Sequence, residues 1–260
     1  MRLDQRRDLP ETTVHVWRIW LDERSGPIDD LQRLLARDEL DRVARFAFDR
    51  DRQRFIVARG ALRLLLSSYV EAPPQHLRFA YGTRGKPSLV RPSGSGWLHF
   101  NVAHSGDLAV VGVARGRDLG IDVELLRPLN DALAVAERFF CAAERTKMRG
   151  AEGADQVQTF LNYWTRKEAI LKATGGGLSL PLDCVDVGWS GAESPQLIHV
   201  RDVAGAARGF RVLDLSPARG YIGAIAVEGE GWQLTAQQWP EDIGEVLSPP
   251  TARGSTTGRY

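Results

Sequence analysis

Leu108-Ala109-Val110-Val111-Gly112-Val113-Ala114 and Tyr221-Ile222-Gly223-Ala224-Ile225-Ala226-Val227 are two apolar runs of strand length, and the second reads as a faint copy of the first. Three further matches precede them in the same order. Val14 and Val16 line up with Ile121 and Val123, Arg45-Phe46 with Arg138-Phe139, and Ala58-Arg59-Gly60-Ala61-Leu62-Arg63-Leu64 with Thr165-Arg166-Lys167-Glu168-Ala169-Ile170-Leu171. Each half therefore begins with a short strand, passes through helices and ends in strands. The pattern predicts an α+β fold, a pseudo-twofold tandem of two similar halves. The turn Arg115-Gly116-Arg117-Asp118 sets the boundary: residues 1–118 form the first half and 119–238 the second. Residues 239–260 turn to Pro, Gly, Ser and Thr and read as a disordered tail.

The chain has 260 residues, 43% of them apolar and 26% charged, enough to bury a full core. Its start, MRLDQRRDLPETT, has no signal-peptide stretch, and no apolar run approaches the roughly 20 residues of a membrane span, so a cytoplasmic setting is expected. Cys141 and Cys184 show no metal-ligand spacing and read as reduced packing residues. The overall charge of +1 conceals a split. Residues 1–118 carry 20 Lys and Arg against 15 Asp and Glu, a net +5; residues 119–260 carry 14 against 18, a net −4. Such a split suits a ligand that is both polyanionic and metal-bound, and it is equally the size of a chance drift.

A long helix is expected from about Asp49 to Val70, with Phe55, Leu62, Leu66 and Tyr69 on its apolar face. Arg52, Arg59 and Arg63 fall on other faces, where solvation is the expectation. Pro73-Pro74 breaks the helix, and Arg84-Gly85-Lys86-Pro87 forms a basic turn able to point a lysine and backbone N–H groups at an anion.

Three acids carry the chemical argument. In Gly120-Ile121-Asp122-Val123-Glu124 the strand period of two sends Ile121 and Val123 inward and both carboxylates to the other face. Paired carboxylates repel unless a cation or proton lies between them; a half-exposed strand with a solvated polar face is the plain alternative. Helical spacing puts Trp164, Glu168 and Lys172 on one stripe, and Gly175-Gly176-Gly177 stops that helix. In Phe100-Asn101-Val102-Ala103-His104-Ser105-Gly106-Asp107 an apolar strand runs into a turn bearing His104. No Gly-x-Ser-x-Gly elbow accompanies His104-Ser105, which disfavours a serine hydrolase.

Five blocks in this order resemble the long-type 4′-phosphopantetheinyl transferases, over about residues 40–190: Arg84-Gly85-Lys86-Pro87, Phe100 to Gly106, Gly120 to Glu124, Trp164 to Lys172, and Gly177-Leu178-Ser179-Leu180-Pro181-Leu182. The resemblance implies a monomer of two α/β halves with coenzyme A in the cleft between them. It implies Mg²⁺ held by Asp122, Glu124 and Glu168. It also implies coenzyme A contacts at Arg42, Arg84, Lys86, Pro87, His104 and Lys172, with Asn101 and Ala103 on the same wall as His104 and with Asp122 and Glu168 at the pyrophosphate.

The implied reaction transfers phosphopantetheine to a serine of an apo carrier protein and releases adenosine 3′,5′-bisphosphate, with Glu168 as base and Lys172 stabilising the charge. Carriers would belong to peptide, polyketide or fatty-acid synthases; neither nucleic acid nor membrane is an expected partner. Many relatives have serine where Ala103 stands, which removes one hydroxyl contact worth about 1 kcal/mol. Two rival readings use the same residues: a Mg²⁺-dependent pyrophosphate-bond hydrolase, and a non-catalytic module that binds carrier or coenzyme A.

Overall fold

In the computed structural model the described residues are 7–22, 27–70, 72–82, 85–90, 97–175, 182–188, 196–201 and 207–240. The first half runs from strand β1 (Thr13–Trp20) through helices α1 (Ile28–Gln32), α2 (Arg37–Val43) and α3 (Asp49–Ser67). A small hairpin, β2 (Phe79–Tyr81) and β3 (Pro87–Leu89), precedes β4 (Leu98–Ser105) and β5 (Leu108–Arg115). The second half repeats the plan: β6 (Leu119–Leu125), then α4 (Ala132–Phe139), α5 (Ala142–Arg149) and α6 (Gly153–Thr174), then β7 (Gln196–Arg201), β8 (Ala207–Leu215) and β9 (Tyr221–Glu228). A last strand, β10 (Gln233–Gln238), follows.

The two large sheets have orders β10-β1-β5-β4 and β6-β9-β8-β7. The apolar run of β5 is explained by burial on both faces. Ala109, Val111 and Val113 pack into the core under α1–α3, whereas Leu108, Val110 and Ala114 pack between the sheets against Ile121, Val123, Ile225 and Val227. β9 alternates in the same way, with Ala224 and Ala226 toward the helices of its own half. Val14 lies opposite Ala114 and Ile121 opposite Ile225. Against the sequence alignment the two registers differ by two residues, an even shift that keeps every side chain on its face.

Two expectations need correction. β10 pairs with β1 in parallel, so Gln233–Gln238 belongs to the sheet of the first half, and Trp239, expected to start a tail, is buried in the first core. Residues 241–260 lie outside the described set. Arg59 and Arg63 are not solvated: Arg63 is 1% exposed and donates to Glu39 at 2.7 Å and to the carbonyls of Pro74 and Leu77, while Arg59 lies 3.2 Å from the other Glu39 oxygen. A guanidinium has five donors, and enough carbonyls and carboxylates surround these two to offset the cost of burying them. Arg52 remains exposed, paired with Asp49.

Candidate active site

β6 is an edge strand, and two of its outward N–H groups find side chains of β4 instead of a ladder partner. Ile121 N donates to Asn101 Oδ1 at 2.9 Å and Leu125 N to Ser105 Oγ at 3.1 Å. The two acceptors are four positions apart in sequence and so are the two donors, so the strands of the two halves run in step. On its other side β6 meets α6 almost backbone to backbone: a Cβ at Gly120 would lie 2.0 Å from the carbonyl oxygen of Ala169. Only glycine permits this approach.

That contact sets the acids against the helix. Lys172 Nζ donates to Asp122 Oδ1 at 2.6 Å and to the Ile121 carbonyl at 3.3 Å. Asp122 is 5% exposed, and its second oxygen, Oδ2, is buried without a hydrogen-bond partner among the described residues. Burial pushes its carboxyl up to about 7; Lys172 opposes that shift, and Glu124 and Glu168 add to it. Glu168 is likewise raised, first by burial and then, against the pull of Lys172, by Glu124. Glu124 Oε2 accepts from Ser105 Oγ at 2.8 Å. α6 ends at Gly175 in the left-handed region, φ 67°, the helix stop expected of the glycine run. Gly176 to Pro181 lie outside the described residues.

Beside the acids a cleft of about 410 Å³ opens in the first half, lined by Arg42, Arg54, Arg59, Phe46, Phe55, Pro87 and His104 among others. The Arg42 guanidinium lies 4.8 Å over the Phe55 ring. His104 belongs to cleft and acids alike. Partial burial lowers its pKa most, Lys172 and Arg54 lower it further, Glu124 raises it, and Arg42 lowers it again. One imidazole thus feels the cations of the cleft and the charges around the carboxylates.

The other expected residues fall elsewhere. Asn101 and Ala103 face away from the cleft, because the strand period puts them opposite His104: Asn101 holds β6, and Ala103 packs between the sheets. The missing hydroxyl at Ala103 therefore removes no side-chain contact from the cleft wall. Lys86 is engaged with protein, donating to the Leu119 carbonyl at 3.0 Å and the Lys172 carbonyl at 2.6 Å. Arg84 lies outside the described residues.

Asp122, Glu124 and Glu168 share one electrostatic field without closing into a tight cluster. Among the described residues the set of potential metal ligands within 4.8 Å of one another is Cys141, Glu144 and Asp186. Glu144 there already accepts from Cys141 N, Val187 N and the Lys167 ammonium, and is a structural group. Sequence reasoning missed Arg54, Ser105 and the buried Lys167. Arg54 could have been found from its i, i+4 spacing to Arg50, for both pair with Asp107 in the turn after His104.

A family profile described as "4'-phosphopantetheinyl transferase superfamily" matches residues 118–226, and one described as "4'-phosphopantetheinyl transferase, N-terminal" matches residues 24–115. The 4'-phosphopantetheinyl transferase HetI of Nostoc is 38% identical over 220 residues, covering 85% of this chain and 90% of HetI. The 4'-phosphopantetheinyl transferase psf-1 of Bacillus pumilus is 33% identical, covering 62% of this chain and 68% of its own length. Sfp of Bacillus subtilis is 29% identical, covering 58% and 64%. The solved holo-[acyl-carrier-protein] synthase of Thermotoga maritima is 17% identical with a TM-score of 0.30, covering 44% of this chain and 63% of that one, too slight a likeness to weigh. With both halves matched in order and a relative alike along nearly its whole length, the chain belongs to the 4′-phosphopantetheinyl transferase family.

Proposed function

We propose that this chain moves the 4′-phosphopantetheine arm of coenzyme A onto the serine hydroxyl of an apo carrier protein, releasing adenosine 3′,5′-bisphosphate. The observation that carries the reading is the buried, unpartnered Oδ2 of Asp122, set among Glu124, Glu168 and Lys172. An orphaned carboxylate oxygen in a hard, oxygen-rich donor set fits a divalent cation. Asp122, Glu124 and Glu168 would hold Mg²⁺, which when bound supplies positive charge to the phosphate oxygens.

The chain's own residues do the rest. The serine oxygen attacks the pantetheine-side phosphorus, the phosphorus–oxygen bond to the nucleotide breaks, and the serine proton passes to Glu168, directly or through water. Lys172 stabilises charge on the departing phosphate. Arg42 and Arg54, with Phe46 and Phe55 lining the same cleft, suit the nucleotide end of coenzyme A. Both walls come from one chain, so a monomer suffices. No described helix is long and apolar enough to cross a membrane, and the cytoplasm is the proposed setting.

The test is intact-mass measurement on a panel of apo carriers from peptide, polyketide and fatty-acid synthases. A mass gain of one phosphopantetheine arm is expected with coenzyme A and Mg²⁺, and none after chelation. Coenzyme A cleavage without a carrier would instead indicate a hydrolase. Binding of carrier without any mass gain would indicate a non-catalytic module.

A further inference from the structure

We propose that Lys86 is a positioning residue, through which the hairpin of the first half holds the strand and the helix of the active site together. Resting on the active-site reading above, this gives the basic turn a task other than gripping phosphate. Lys86 starts in the β2–β3 hairpin, yet its ammonium lies 3.0 Å from the Leu119 carbonyl on β6 and 2.6 Å from the Lys172 carbonyl on α6. These carbonyls flank the place where Gly120 meets Ala169, Lys172 and Ala173. From the opposite side the Lys172 ammonium reaches back to Ile121 and Asp122. Three contacts within four residues of β6 thus fix α6, and two of them are lysines at successive levels of the same seam.

The Lys172 carbonyl is in the last turn of α6, where carbonyls lack intrahelical donors and the helix dipole is negative. Lys86 supplies the missing donor there. With two of its three N–H groups given to carbonyls and its stem largely buried, the side chain is held by protein before any ligand arrives. Burial lowers its pKa, Asp118 opposes that shift, and Arg208 reinforces it. Glu168 lies one turn before Lys172, so any displacement of the end of α6 relative to β6 moves base and ammonium together against Asp122.

The experiment compares wild type, Lys86→Met and Lys86→Arg, all verified as folded at the assay temperature. Lys86→Met should lower kcat at saturating coenzyme A by about tenfold to a hundredfold, because misplacement near 1 Å has that effect. Its calorimetric Kd for coenzyme A without metal should stay within about twofold of wild type, and Lys86→Arg should recover part of kcat. Amide exchange in residues 169–175 of the ligand-free protein should accelerate in Lys86→Met. A Kd weakened about tenfold or more with kcat unchanged would overturn the proposal in favour of a phosphate grip. Unchanged exchange in residues 169–175 would overturn it as well. Should wild type transfer nothing to any carrier, the transfer reading fails, while coenzyme A affinity and amide exchange still decide the role of Lys86.

Discussion

Glu39 and Glu144 hold the same position in the two halves of the fold. Each is the third residue of a helix, each accepts the N–H of its own N-cap residue, Ala36 at 2.8 Å and Cys141 at 2.9 Å, and each is buried against a cation of the long helix that follows. Arg63 answers Glu39 and also donates to Pro74 and Leu77; Lys167 answers Glu144 and also donates to Leu182 and Val185. The cation in both cases ties the segment after its helix to the helix before it. This equivalence pairs Arg63 with Lys167, three residues from the sequence alignment, which set Arg63 against Ile170.

Lys167→Met should destabilise the protein by about 3–5 kcal/mol, since it leaves the Glu144 charge buried without its partner. Adding Glu144→Gln should recover a large share of that loss. Urea denaturation of the two single variants and the double variant measures the coupling, and additive losses would show that the pair acts as two independent groups.

Glu168→Gln should keep coenzyme A binding and lower transfer by about 10²–10⁴-fold, the usual size of a lost general base. Single-turnover mass analysis with an apo carrier, set beside calorimetric binding, separates the two effects. Near-normal turnover would remove Glu168 from the chemistry.

Gly120→Ala should break the seam between β6 and α6, since the added carbon would meet the Ala169 carbonyl oxygen at 2.0 Å and Ala173 N at 2.3 Å. Backbone cannot step aside as a flexible side chain does. A loss of about 1–3 kcal/mol or more is expected, with transfer falling further than stability alone explains. Thermal melts and kcat, measured on the same preparation, check both.

Asp118 gives the pH dependence. Its bond to His99 at 3.0 Å, and after it the one from Arg208 at 2.6 Å, hold the carboxyl well below its ordinary 3.8, against the opposing effect of burial. A depressed folded-state pKa contributes stability above the unfolded value and loses it as pH falls from about 4 downward. Asp118→Asn should therefore lower the melting temperature most at neutral pH, with the difference from wild type shrinking as pH falls below about 4. An identical acid limb in both proteins would refute this assignment.

The residues legible in the sequence were those whose role follows from local period. Ile121 and Val123 pack between the sheets and Asp122 and Glu124 take the opposite face because a strand alternates; Trp164, Glu168 and Lys172 share a face because a helix repeats. The doubled plan of strand, helices and strands was readable for the same reason. What sequence could not convey is pairing between distant segments. Nothing near Lys86 tells that its ammonium ends on a carbonyl 86 residues away, or that Asn101 serves the edge of β6. Arg59 and Arg63 were read as solvated because a charged side chain is usually exposed; only the arrival of Glu39 and two carbonyls changes that.

The parallel pairing of β10 with β1 also bears on synthesis. β1 lies between β5 and β10, so the first sheet stays incomplete until residues 233–238 have left the ribosome, well after its other strands. Until then β1 presents an open edge, and Trp17 and Ile19 wait for the neighbour Trp239 in their core. The nascent chain must carry that unfinished half through the whole of the second one, and a stop codon shortly before Gln233 would strand it there for good.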